Sequence, residues 1–167
     1  MTKIEGENTM GDGGRRHSFR FDEVEPRIGA RYPKPYDQVA PNRMKYMVGD
    51  RAGITQYGVN VTILPPGQQS ALRHWHRNED EFVIVLEGEV VLITDDGEET
   101  LGPGMCAGFP AGIENGHHLV NRSGANARFI EVGTRARNEE AFYPDDDLHV
   151  VKDGDEYTFT RKNGEPA

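Results

Sequence analysis

The sequence predicts an all-β protein, a sandwich or barrel of many short strands with an extended N-terminal arm and a short C-terminal β tail. Three observations carry this. Twenty glycines and ten prolines among 167 residues leave few windows of a dozen residues in which a helix could run uninterrupted. From residue 56 onward, short apolar segments alternate with turn signals at even spacing. The longest apolar run, 82–86, has five residues, far short of the roughly 20 that a membrane-spanning helix needs.

The elements follow in order. Residues 1–16 are polar and glycine-rich and are expected to be poorly ordered. Four prolines and scattered aromatics between residues 19 and 41 read as an extended chain, so 1–42 is assigned to the arm. A first strand is expected over 43–48. Further strands are expected at 57–64 (YGVNVTIL), 70–76, 81–86, 89–94, 99–101, 105–109, 117–121 and 128–133. Pro65-Pro66-Gly67, Gly88, Asp96-Gly97, Gly102-Pro103-Gly104 and Pro110-Ala111-Gly112 punctuate them, which delimits a barrel domain of 43–135. The remaining 136–167 form an acidic tail with a hairpin, 148–151 and 157–161. Its run Asp145-Asp146-Asp147 lacks the spaced ligands of a calcium loop and reads as a solvated cluster.

The segments EFVIVL and VVLI are apolar on both parities, whereas a half-exposed strand alternates. Both faces are therefore expected to be covered, the outer one by the arm, the tail or a second subunit, and a homodimer is the expected assembly. Net charge is −9, with 3 basic and 9 acidic residues in 138–167. Such a surface repels a polyanion, so no nucleic-acid partner is expected. The first ten residues lack an apolar signal core, no membrane partner is expected, and the single Cys106 fits a reducing compartment. A cytoplasmic protein is expected, with Cys106 as a small core residue.

His74 and His76 are two apart on an expected strand, so their imidazoles leave one face. If the chain turns across 77–80, the Glu81 carboxylate returns to the same side, and His117 follows after three further strands. Three imidazoles and a carboxylate form a mixed N/O set suited to a divalent ion. Arg73, Trp75 and Arg77 have the opposite parity and are expected to point away from it.

These residues resemble the cupins, proteins built as a double-stranded β-helix or jelly-roll barrel. Their first motif is Gly, five or six residues, His-x-His, three or four residues, Glu, six residues, Gly; this chain has Gly67, His74-Trp75-His76, Glu81 and Gly88 in that spacing. Their second motif is matched by Gly104, Pro110-Ala111-Gly112, His117 and Asn121, with two extra residues before His117. The expansion leaves His118 as an alternative to His117, which keeps the spacing to Asn121. SALRHWHRNEDEFVIVLEGE, FPAGIENGHHLVNRS and the tail also resemble small single-domain bacterial cupins of uncharacterised activity.

The resemblance implies a jelly-roll barrel binding one divalent transition metal (iron(II), manganese(II), nickel or zinc) through His74, His76, Glu81 and His117. It implies a metal-dependent enzyme acting on a small oxygen-rich molecule by isomerase, dioxygenase, decarboxylase or lyase chemistry. No further cofactor is implied, and no catalytic residue beyond the ligands is identified. The competing reading is a non-catalytic small-molecule binder or sensor. A phosphorylated substrate would call for a cationic clamp beside the metal. Arg122 and Arg128 are the candidates, and the absence of Lys from residues 46–151 favours an uncharged or carboxylate substrate instead.

Overall fold

The structure, a computed structural model, describes residues 17–167; the disorder expected of 1–16 lies outside them. Three antiparallel sheets hold the described residues. The largest runs in the order β1 (Arg27–Ile28), β2 (Met44–Tyr46), β3 (Tyr57–Leu64), β10 (Ala127–Thr134), β5 (Glu81–Glu87), β8 (Cys106–Phe109). A second contains β7 (Gly97–Leu101), β6 (Val90–Thr94) and β9 (His118–Val120). The third joins β13 (Glu156–Thr160), β12 (His149–Asp153), β11 (Asn138–Phe142) and β4 (Trp75–His76). A short helix, α1 (Val48–Ala52), follows β2. Among the described residues no helix is long and apolar enough to cross a membrane.

The expected jelly-roll barrel is not formed, because none of the three sheets closes on itself. The expected strand over 70–76 supplies a ladder only at Trp75–His76, and Gln69↔Val120 and His74↔His117 are isolated bridges. At the other edge, β8 runs straight into Pro110, which has no N–H to extend a ladder. Closure needs continuous pairing between sheet edges, and here residues 67–74 meet β9 and its flanks through isolated bridges and scattered backbone hydrogen bonds that form no ladder.

Strand parity decides what lies inside. On the largest sheet the inner row contains Leu64, Val83, Val85, Ala127 and Phe129, which pack against Val90, Leu92, Leu101 and Leu119 of the second sheet. Phe129, Leu64 and Val85 are fully buried, each side chain contributing about 1.5–3 kcal/mol. Gly88 permits the turn after β5: at φ +69° it sits where a Cβ would lie 2.6 Å from the Asn126 carbonyl. A second core, Leu72, Ala141, Tyr143, Leu148 and Val150, joins the third sheet to Tyr32, Tyr36 and Val39 of the arm.

The outer face of the large sheet is covered in part by the arm. Phe21 packs edge-on against Tyr46 at 5.2 Å, the Arg128 guanidinium lies 5.1 Å from the Phe21 ring centre, and Gly49 of α1 sits against Val59. Phe82, Leu86 and Met105, toward the β8 edge, are exposed. Cys106 is also exposed, contrary to its expected place in the core. Alternation explains this: Ala107 and Phe109 turn inward against the core, so Cys106 turns out beside Ile84.

Candidate metal centre

The single bridge between His74 and His117 builds the site. His117 N–H donates to the His74 carbonyl at 2.9 Å and His74 N–H to the His117 carbonyl at 3.2 Å, which brings two distant histidines side by side. His76 follows on β4, its ring 4.9 Å from that of His74. Glu81 opens β5 on the inner face, opposite Gly133 of β10, which carries no side chain of its own into that position. His74, His76 and Glu81 each place one ligand atom within 4.8 Å of the others, a group able to hold a metal ion. His117 joins through Glu81, its Nε2 2.9 Å from Glu81 Oε2, and its ring stacks on Phe109.

The donor chemistry fits a divalent cation. His74 Nδ1 donates to the Leu72 carbonyl at 2.7 Å, which leaves Nε2 as the free donor atom. His117 Nδ1 lies 3.4 Å from the Asn115 carbonyl. His76 Nε2 is 3.6 Å from Glu81, while its buried Nδ1 has no hydrogen-bond partner and lies 3.4 Å from Glu139 Oε1. Glu139 is fixed in turn by the backbone N–H groups of Arg77 and Asn78, both at 2.8 Å. Glu81 has no lysine or arginine partner among the described residues.

Protonation agrees with this. Burial, aided by the charge on His76, pushes His74 down to about 3, so it is a neutral imidazole at any physiological pH. Burial also opposes charge on His76, but Glu139 and Glu81 outweigh it and hold the imidazole above its ordinary value. For Glu81 burial acts upward, yet the contact with His117 and the charges of His76 and His74 hold the carboxyl well below the usual range.

His118, the alternative, turns elsewhere: its Nδ1 lies 3.0 Å from the Ala71 carbonyl. The opposite-parity residues also leave the site. Arg73 grips Asp145 through two hydrogen bonds of 2.7 and 2.8 Å and also pairs with Asp95. Arg77 pairs with Glu140, and Trp75 stacks on Phe142 at 4.3 Å. Arg122 and Arg128 do not clamp the centre, since Arg122 is bound to Glu98 on the surface and Arg128 to Glu87.

A cavity of roughly 580 Å³ opens over His74, Glu81 and His117. Strand register lays a polar row across its inner wall. Glu131 is two residues from Gly133 on the same face, so it is the diagonal neighbour of Glu81. Lys45 Nζ reaches Glu131 Oε2 at 2.6 Å, and Arg27 is the cross-strand partner of Lys45. Sequence reasoning missed Glu131, Lys45, Arg27 and Glu139. Glu139 becomes a partner of His76 only through the pairing of β11 with β4, for which no local spacing gives a signal.

Comparisons with known proteins agree with this construction. The model of the cupin domain matches residues 60–133. A cupin-superfamily protein of Silicibacter pomeroyi, described as a sugar phosphate isomerase, is 46% identical, with a TM-score of 0.87 over 90% of this chain and 96% of its own. A protein of Acidithiobacillus ferrooxidans, described provisionally as a sugar phosphate isomerase, shares the fold at 23% identity and TM-score 0.70, over 75% of this chain and 80% of its own. The polyketide cyclase RemF of Streptomyces resistomycificus shares it at 23% identity and TM-score 0.56, over 70% and 78%. No curated protein matches the chain. The matched domain spans the His74, His76, Glu81 and His117 positions, and the Silicibacter relative aligns along nearly the whole sequence: this chain belongs to the cupin superfamily.

Proposed function

We propose that this protein is a metal-dependent cupin enzyme that isomerises a small, oxygen-rich, sugar-type substrate. The observation that carries the reading is the grouping of His74, His76 and Glu81 within 4.8 Å, with His74 and Glu81 lining a polar cavity. The 46% identity to the Silicibacter protein supports isomerisation over the other cupin chemistries. In this reading His117 completes the ligand set, and the ion is iron(II), manganese(II), nickel or zinc. When bound, such an ion polarises a substrate carbonyl or hydroxyl oxygen.

The chain itself supplies positioning and a base. Glu131, beside Glu81 on the inner wall and held by Lys45, takes the proton from the carbon next to the substrate carbonyl. It returns that proton to the former carbonyl carbon, while the hydroxyl proton passes to the carbonyl oxygen. Atoms and electrons balance within the substrate, so no oxidant or reductant is consumed. Phe109 and the apolar inner row wall the site against water.

Metal content of untagged protein compared with His76→Ala tests the centre, and wild type binding no more metal than the variant ends the proposal. Turnover on a panel of aldoses and ketoses, with and without phosphate, tests the reaction. A ligand-induced thermal shift with no turnover would instead favour the non-catalytic binder. The exposed Phe82, Leu86 and Met105 beside the β8 edge support a homodimer in this reading, which a monomeric mass in sedimentation would refute.

A further inference from the structure

We infer that the arm side of the cavity is an anion subsite, in which Arg27 and Arg31 hold the phosphoryl group of a substrate whose reacting end lies at the metal centre. The inference rests on the enzymatic reading above and names its substrate class.

Six cationic side chains line the cavity: Arg27, Arg31, Arg43, Lys45, Arg135 and Lys152. Four of these are already engaged. Lys45 is paired with Glu131 at 2.6 Å, Lys152 with Glu79 at 2.9 Å, and Arg135 with Asp50. Arg43, nearly fully buried, donates to the carbonyls of Ser70 and Gly29. Among the described residues Arg27 and Arg31 make neither an ion pair nor a hydrogen bond, and Arg27 Nε is buried without a partner. Asp155, the remaining cavity carboxylate outside the metal centre, pairs with neither.

A partly buried, unneutralised guanidinium such as that of Arg27 is costly unless something anionic arrives. Burial disfavours charge on Arg27, and the neighbouring Arg43 and Arg31 add to it, so its pKa is lowered. A phosphoryl dianion removes that penalty and matches the forked donors of arginine. Position fits as well. Arg27 and Glu81 lie on the same inner face at opposite ends of five adjacent strands, β1 to β5. Through Lys45, Thr62 and Phe129 the register of Arg27 leads to Val85, four residues from Glu81, so four strand spacings and that offset separate their backbones by roughly 23 Å along the sheet, and both side chains shorten the gap. An anion on Arg27 thus leaves the rest of a small molecule lying along Lys45 and Glu131 toward the metal ligands.

Calorimetric titration with inorganic phosphate tests the subsite, on chelator-treated and on metal-loaded protein. Wild type should bind phosphate in both states. Arg27→Gln and Arg31→Gln should each weaken binding about tenfold, and the double variant should abolish it. Arg31 is exposed, so its variant tests the subsite even if Arg27→Gln folds poorly. Phosphate binding equally to wild type and the double variant, or only to metal-loaded protein, overturns the inference. So does acetate binding as tightly as phosphate. Phosphate binding that persists in a metal-deficient His76→Ala supports the subsite independently, and wild type failing to bind metal while still binding phosphate would defeat only the enzymatic reading.

Discussion

The two sides of the cavity are built on different principles. The metal side draws His74, His76, Glu81 and His117 from residues 60–133, and the Nδ1 of each imidazole faces an oxygen, at 2.7 Å for His74 and 3.4 Å for His117 and His76. The opposite side draws Arg27, Arg31 and Lys45 from the arm and β2, all outside that span. One side is closely fixed and electrically compensated, while the other retains unpaired positive charge. In the proposed reading the two sides have separate tasks: the cupin domain would supply the reacting centre, and the flanking segments the contacts by which the substrate is chosen.

The largest expected effect falls on the metal side. His76→Ala should lose stoichiometric metal and lower any turnover by more than about 100-fold, measured by metal analysis and steady-state rates. Metal retained at the wild-type level would place the ion elsewhere and remove the metal side of the contrast. Glu131→Gln, at the meeting of the two sides, should lower kcat by about 10²–10⁴-fold with metal content unchanged. Glu139→Gln should weaken metal affinity by about 10–100-fold, read by competition with a chelator, because His76 then loses the carboxylate beside its Nδ1.

The metal-free protein makes the Glu139 contribution visible through pH. Burial opposes its charge, but His76 and the amides of Asn78 and Arg77 hold the carboxyl below the usual range. Its stabilising effect is thus present above the unfolded-state value and lost as pH falls through the folded one. The raised His76 contributes the converse, present below its unfolded value and lost as pH rises through the folded one. The Tm difference between wild type and Glu139→Gln should therefore be widest between those two ranges and narrow at both ends. A pH-independent difference would show that the pair is not coupled.

Leu148→Ala compares the two cores directly. Leu148 is fully buried in the cluster that joins tail and arm, so the change should cost about 2–5 kcal/mol, measured by urea denaturation. A loss well under 1 kcal/mol would mean that the tail is only loosely attached. The smallest effect is expected at Arg122→Ala: its bond to Glu98 is on the surface, so phosphate and metal binding should both be unchanged.

What could be read from the sequence follows the same division. His74, His76 and Glu81 are close in the chain, so a turn and a two-residue period suffice to place them together. His117 needed only the motif to indicate its role. The lysine-free stretch 46–151, which favours an uncharged or carboxylate substrate, is bounded by the two lysines that line the cavity, Lys45 and Lys152. Arg27 reaches the cavity through the β1–β2 register, which a two-residue strand in a proline-rich arm does not reveal. The short strands were legible because glycine and proline mark their ends. Barrel closure was not, because it depends on whether distant edges pair, and the bridges at Gln69 and His74 do not extend into ladders.

The pairing of β4 with β11 also sets an order of events during biosynthesis. Trp75 and His76 gain their ladder partner only from Phe142 and Ala141, and Glu139 lies 62 residues beyond Arg77, whose amide it holds. A nascent chain that has exposed all four metal-side residues still lacks the strand that orients one of them. An interrupted translation product that ends before β11 therefore carries all four residues without the carboxylate beside His76 Nδ1.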